Sequence, residues 1–204
     1  MKAPGPLVIL GFGGHARSVA DIALACGHSQ LVFVDDHARD GETFLGHPAV
    51  REYPAGHLQC MPAAGDNALR RRQLEVVQAQ AFELITLIAP GATTGAGAVV
   101  QPGTLVARHA HIGPLAEVGR GCIINTGAVV DHESRIGEFC HISVNATVAG
   151  RCVIGAGVFV CAGATVIDGV TIAPGIIVGA GATVVHDLTE PGTYVGTPAR
   201  LVRR

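Results

Sequence analysis

From Ile88 to Val184 the chain keeps a period of six residues. Stepping by six gives seventeen positions, of which sixteen are Ile or Val and only Thr94 departs. The residue two places earlier is mostly small: Ala92, Ala98, Ala110, Ala116, Cys122, Ala128, Ser134, Cys140, Ala146, Cys152. An α-helix cannot use this pattern, because six steps turn a side chain about 600°, roughly 120° off its starting face. Short strands can, when each six-residue unit sends one branched and one small side chain inward and then turns. That is the signature of a parallel β-helix. With three units to a coil, the seventeen units make between five and six coils, a prism about 25 Å long at roughly 4.8 Å per coil. No insertion breaks the period, so the prism faces carry no long loop of their own. A pocket must come from an end of the prism, from the rest of the chain or from a neighbouring chain. Stacked apolar faces favour a homotrimer.

Composition agrees with small-residue β structure. The 204 residues are 49% hydrophobic but 4% aromatic, with 28 Gly and 15% charged residues. A net charge of −2 gives no electrostatic reason to expect nucleic acid or an anionic membrane as partner. The N-terminal "MKAPGPLVILGFGG" has an apolar run too short for a signal peptide or a spanning helix. The expected setting is the cytosol, with six reduced cysteines. Cys122, Cys140 and Cys152 fall on the small inward position.

Residues 1–85 do not follow the period and form a separate front domain, with the prism and C-terminal tail at 86–204. "PLVIL" reads as a buried strand, "RSVADIALACGH" as a helix with Val19, Ile22, Ala23 and Cys26 on one stripe, and "LVFVDD" as a second strand. Gly11, Gly13 and Ala16 satisfy G-x-G-x-x-A, with Asp35 and Asp36 about twenty residues on. A complete dinucleotide site needs two mononucleotide halves, and about 85 residues are too few. A half-site can hold a nucleotide diphosphate at the glycine loop and helix N-terminus, where His15 can donate. "AAGDNALRRR" reads as a turn and helix capped by Asp66 or Asn67, its arginines on a solvated face. Pro90 helps to mark the passage into the prism.

"DHE" at Asp131, His132 and Glu133 follows an aliphatic ruler position and so lies at a corner, where side chains can point outward. Carboxylates beside a histidine orient its ring and stabilise its charged form, the arrangement of a general base.

These residues resemble the bacterial hexapeptide-repeat nucleotide-sugar N-acetyltransferases that act on 4-amino-4,6-dideoxy sugars, relatives of the sialic acid O-acetyltransferases. The resemblance spans the chain: Gly11 to His15 for the family's G-x-x-G-H loop, the acidic pair Asp35 and Asp36, Gly65-Asp66-Asn67, the run from Asn125 to Ser143 including "DHE", and Gly196 to Arg200. It implies a left-handed parallel β-helix preceded by a small α/β Rossmann-like domain. It implies that His132 is the base, that Glu133 and Asp131 orient it, and that Asn125 shares its pocket. His141 is then near the thioester of acetyl-CoA, with Gly150, Ala162, Gly163 and Ala180 offering backbone groups to the coenzyme in the groove between prisms. Gly13, Gly14, His15, Asp35, Asp36, Gly65 and Asn67 would hold the nucleotide sugar, His15 coming from a neighbouring chain. Acetyl transfer would be direct and without a metal. A sugar O-acetyltransferase shares every motif. A zinc site of the carbonic-anhydrase kind needs three converging histidines, and His132 and His186 are 54 residues, about 14 Å, apart on this ruler.

Overall fold

The computed structural model describes residues 5–80 and 82–202. The first four residues of the N-terminal reading, and Ala81 at the entry to the prism, lie outside the described residues. The front unit runs β1 (Leu7–Leu10), α1 (Gly14–Ala25), β2 (Leu31–Val34), β3 (Thr43–Phe44), β4 (His47–Val50), β5 (Gln59–Pro62), α2 (Asn67–Ala79) and β6 (Glu83–Leu84). Its sheet has the order β3-β4-β2-β1-β5-β6, parallel except at the β3–β4 pair. The apolar run of β1 is buried throughout, as a central parallel strand requires. Asp66 caps α2, its side chain accepting from Leu69 N at 2.8 Å. On the α1 stripe Val19, Ile22 and Ala23 are buried, but Cys26 is the exposed C-cap.

The prism is a β-solenoid of seventeen two-residue strands, β7 (Leu87–Ile88) to β23 (Thr183–Val184). They stack in three faces. The first holds Leu87–Ile88, Leu105–Val106, Ile123–Ile124, His141–Ile142, Phe159–Val160 and Ile177–Val178. The second runs from Thr93–Thr94 through Val129–Val130 to Thr183–Val184, and the third from Val99–Val100 through Arg135–Ile136 to Thr171–Ile172. Each residue pairs with the one eighteen places on, as in Val130 with Val148 and Ile136 with Ile154. The ruler residues from Val106 onward are buried with the small positions in one continuous core. Ile88, in the first coil, is 41% exposed because no coil precedes it. The other end is closed by Leu188, Tyr194 and Ala199, carried by the tail with β24 (Thr193–Val195) and β25 (Arg200–Leu201).

The small polar residues at inward positions are satisfied. Ser134 Oγ donates to Ala149 O at 2.8 Å, and the thiols of Cys122, Cys140 and Cys152 donate to Gly137, Gly155 and Ile167 carbonyls, each at 3.1 Å. Each therefore meets a corner carbonyl that the interior would otherwise leave unpaired. Corners impose a second rule. The third residue after every ruler position from Ile88 to Val178 takes positive φ, and glycine usually fills it, but His109, Leu115, Glu133, Phe139, Asn145 and Arg151 also do so.

The front unit sits on the first face. Leu87, Leu105 and Ile123 project from that face into the same core as Ala16, Val19, Ile22 and Leu31. Arg70 locks the two parts together, contrary to the reading of its run as a solvated face. It is 1% exposed and donates to Gly121, Phe139 and Cys140 carbonyls on the prism and to Ala64, Gly65 and Asp66 carbonyls and Asn67 Oδ1 on its own unit. Arg71 and Arg72 are exposed, and Arg71 lies over the Phe139 ring at 4.8 Å.

Inward and outward positions of one coil should differ sharply in their worth. Ile142→Ala empties a fully buried site and is expected to cost about 2–5 kcal/mol in urea unfolding. Thr171→Ala, on the outer surface of the third face, should stay within about 0.5 kcal/mol. Equal effects would contradict the burial alternation.

Candidate functional site

The site residues read from the sequence fall into two groups within one chain. The first is the corner Asp131 to Ser134, between the second and third faces. Asp131 turns its carboxylate back, Oδ1 accepting from His132 N at 2.7 Å. His132 Nδ1 lies 3.2 Å from Glu133 Oε2. A carboxylate only accepts, so Nδ1 carries the proton and Nε2 keeps its lone pair. The His132 side chain is 39% exposed. Its Cε1 and Nε2 lie over Gly150, where a Cβ would be only 2.5 Å from either atom. His132 is thus held in the tautomer of a base with its free nitrogen at the edge of the prism.

The second group is on the first face, under the front unit, and so on the opposite side of the triangle from the first. His141 is 7% exposed and stacks on Phe159 with centroids 4.7 Å apart. Its Nδ1 is 3.2 Å from Gly65 O, and its Nε2 is 3.1 Å from Asn125 Nδ2. Gly65 O only accepts, so Nδ1 carries the proton. Asn125 Oδ1 accepts from Thr126 N at 2.8 Å, so Nδ2 donates to the His141 lone pair. Both His141 nitrogens are spent, whereas His132 Nε2 is unpaired at an exposed corner. The sequence reading put Asn125 in the His132 pocket; in one chain it belongs with His141, because it opens the corner after the first face. His15, expected from a neighbouring chain, lies 6.1 Å from His141 of its own chain between ring centroids, with Nε2 buried and unpartnered.

A pocket of about 630 Å³ adjoins this group, lined by Gly11, Gly13, Gly14, His15, Asp35, Asp36, Tyr53, Gly65, Arg72 and Gln73 among others. It opens beyond the carboxyl ends of β1, β2 and β5, where the strand order reverses, the place at which open α/β sheets take ligands. Gly11 is required by its φ of +107°. A Cβ at Gly13 or Gly14 would meet nothing within 4 Å, so the α1 N-terminus stands open, with no side-chain cap and no acid in its first turn. That end suits a phosphate. The acidic pair divides its work. Asp35 accepts from Phe12 N at 2.8 Å and His37 N at 2.9 Å, bracing the loop, while Asp36 is exposed at the pocket. Asn67 faces the prism, donating to Gly157 O at 3.0 Å. Gln73 was not found from sequence. Its Oε1 accepts from Ala63 N and Ala64 N and its Nε2 donates to Leu10 O at 2.8 Å, joining the ends of β1 and β5. A glutamine in a polar helix, which also carries Gln78, gives no signal of this.

Of the backbone positions, Ala162, Gly163 and Ala180 share the corner between the first and second faces, where Gly181 N donates to Ala162 O. Gly150 is at the His132 corner instead. Cys140 is fully buried inside the prism, out of reach of a thioester. Among the described residues no group of three or more His, Cys, Asp or Glu could hold a metal ion, and no helix is long and apolar enough to cross a membrane.

Residues 6–77 match the PglD N-terminal domain family. A mutant of perosamine N-acetyltransferase from Caulobacter crescentus, solved with CoA and GDP-perosamine, is 34% identical, with 99% of either chain covered and a TM-score of 0.92. PerB from the same organism, with the same two ligands, is 33% identical over 98% of this chain and 99% of its own, at a TM-score of 0.89. The acetyltransferase domain of PglB from Neisseria gonorrhoeae, with acetyl coenzyme A, is 31% identical over 98% of this chain and all of its own (100%), at a TM-score of 0.92. No curated protein sequence matches this chain.

Burial, aided by the Arg70 charge, pushes His15 and His141 down to about 4. Their unfolded value is near 6.5. Between these limits the unfolded chain takes up protons that the folded chain refuses. Stability is therefore complete above about pH 6.5 and falls as pH drops towards 4, by about 1.4 kcal/mol per unit for each histidine. Urea midpoints across this window should fall less steeply for His141→Gln than for the wild type; parallel lines would contradict the buried neutral state.

Proposed function

This chain belongs to the hexapeptide-repeat nucleotide-sugar N-acetyltransferases, and we propose that it moves acetyl from acetyl-CoA to the 4-amino group of a nucleotide-linked 4-amino-4,6-dideoxy sugar. The observation that carries the mechanism is the His132 tautomer, Nδ1–H on Glu133 and Nε2 unpaired at an exposed corner. His132 Nε2 removes a proton from the sugar amine as the nitrogen attacks the thioester carbonyl. The new C–N bond forms, the C–S bond breaks, and the imidazolium returns its proton to the departing CoA thiolate. Glu133 holds the ring and offsets the charge that His132 gains. Asp131 fixes the corner through the His132 backbone. No acyl-enzyme is needed, since no nucleophile adjoins the base.

The nucleotide sugar lies in the front pocket. Its diphosphate meets the open α1 N-terminus at Gly13 and Gly14, Asp36 contacts the ribose or base, and the sugar passes His15 and Gly65. Asp35 and Asn67 act indirectly, by bracing the loop and docking α2. Acetyl-CoA lies along a groove bordered by His141, Asn125, Ala162, Gly163 and Ala180 of one chain and by Gly150 of the next.

Shared sites follow from the placement of the two groups. A triangular prism cannot bring its own corner round to its opposite face, so the His132 corner of one copy serves the His141 face of another. The reading is a homotrimer with a left-handed solenoid at 86–204 and a Rossmann-like front domain at 1–85. The free thiols suit the cytosol.

His132→Ala is expected to lower kcat by about 10²–10⁴, with stability changed by no more than about 1 kcal/mol. The assay is acetylation of GDP-, UDP- and dTDP-linked 4-amino sugars by acetyl-CoA. Wild-type turnover in the variant would return the triplet to a solvated corner. Mixed oligomers give a second test. His132→Ala and His15→Ala chains, each weak alone, should regain activity when co-assembled, because some grooves then combine the intact halves. No recovery would mean that each site is built from one chain.

A further inference from the structure

The corner of His132 continues upward. Eighteen and thirty-six residues on, in the same column, stand Gly150 and Asp168. Gly150 is buried, and its φ lies outside the left-handed region. The backbone does not require glycine there. What requires it is the His132 ring: a Cβ would fall 2.5 Å from Cε1, 2.5 Å from Nε2 and 3.0 Å from Asp168 Oδ1. The ring and the Asp168 carboxylate therefore converge over the same atom.

Asp168 is itself held. Its other oxygen is paired with the Arg151 guanidinium. Arg151 belongs to the same corner, its backbone N donating to His132 O at 2.9 Å. It does so at φ +55°, a conformation most corners give to glycine. The chain thus places one carboxylate, Glu133, at Nδ1 and brings a second, Asp168, over the same Gly150 that the ring covers, with no room for a methyl group beneath the ring.

We propose that Gly150 and Asp168 form the seat that aims His132 Nε2 at the acceptor amine, with Gly150 supplying the space and Asp168, pinned by Arg151, closing the far side. Both are positioning residues that act through His132, and the proposal rests on the acetyltransferase reading above. During transfer the nearby Asp168 carboxylate offsets the positive charge on the imidazolium until its proton passes to the departing thiolate. Neither role asks Gly150 to touch the coenzyme.

The full-length chain tests this as Gly150→Ala, Asp168→Asn and Asp168→Glu, each also combined with His132→Ala. The acceptor is whichever GDP-, UDP- or dTDP-linked 4-amino sugar the wild type acetylates. Gly150→Ala is expected to cut kcat by about 10²-fold, the cost of a misplacement near 1 Å, with a much smaller change in KM for acetyl-CoA, whose groove Gly150 borders only through its backbone. Asp168→Asn should cut kcat by about tenfold, and Asp168→Glu should restore part of it. In the His132→Ala background neither change should cost more, since the group they act through is gone. Wild-type kcat in Gly150→Ala overturns the proposal. So does an equal loss with and without His132, which would make Gly150 a coenzyme contact. A readout free of substrate separates the two levels: the His132 Cε1–H resonance should move in Gly150→Ala and Asp168→Asn. If it moves but the wild type acetylates none of the sugars, the seat stands and the acetyltransferase reading falls. An unmoved resonance sinks the seat alone.

Discussion

The backbone ladder between coils is the constraint from which the rest follows. Asp131 N donates to Val148 O, Arg151 N to His132 O and Gly169 N to Gly150 O, each near 2.9 Å. Every corner is thereby fixed above its equivalent eighteen residues earlier, at the strand spacing of about 4.8 Å. A loop of the same composition would lose that precision to its own entropy. On the ladder, a histidine, a glycine and an aspartate far apart in the chain become one column. The same ladder makes the first face flat enough for an α/β unit to bury Leu87, Leu105 and Ile123.

The corners carry a cost that reveals where side chains are wanted. A non-glycine residue at positive φ costs on the order of 1–3 kcal/mol. Glu133 meets that cost beside His132, Phe139 beneath Arg71, and Arg151 beside Asp168. Phe139 also leans over Gly121, whose missing Cβ leaves room for the ring. Leu115, 60% exposed, takes the same kind of position and leans over Gly97, where a Cβ would meet its Cδ2 at 2.7 Å.

Arg70 is the counterpart on the first face. A buried guanidinium is expensive unless its donors are satisfied. Here carbonyls of two stacked prism corners and of the loop between β5 and α2 do so, together with Asn67 Oδ1, and no carboxylate is in the set. The Arg70 positive charge adds to burial, the larger cause, in holding His15 and His141 neutral. One residue therefore docks the front unit and sets the electrostatic character of the pocket floor.

The sequence by itself determined the solenoid, because a six-residue period of Ile and Val with small partners fits no other regular backbone, and it marked "DHE" as a corner for the same reason. It also marked the glycine loop and a helix capped by Asp66 or Asn67, whose chemistry is local, and the structure makes Asp66 the cap. Only the tertiary structure decided that Asn125 belongs to His141, that Arg70 is buried while Arg71 and Arg72 are not, that Gln73 ties β1 to β5, and that Asp35 braces its loop while Asp36 faces the pocket. These are contacts between residues distant in the chain, set by how the front unit seats on one face. A hydrophobic period records which side of a strand faces inward, but it holds no record of what later comes to lie against the outer side.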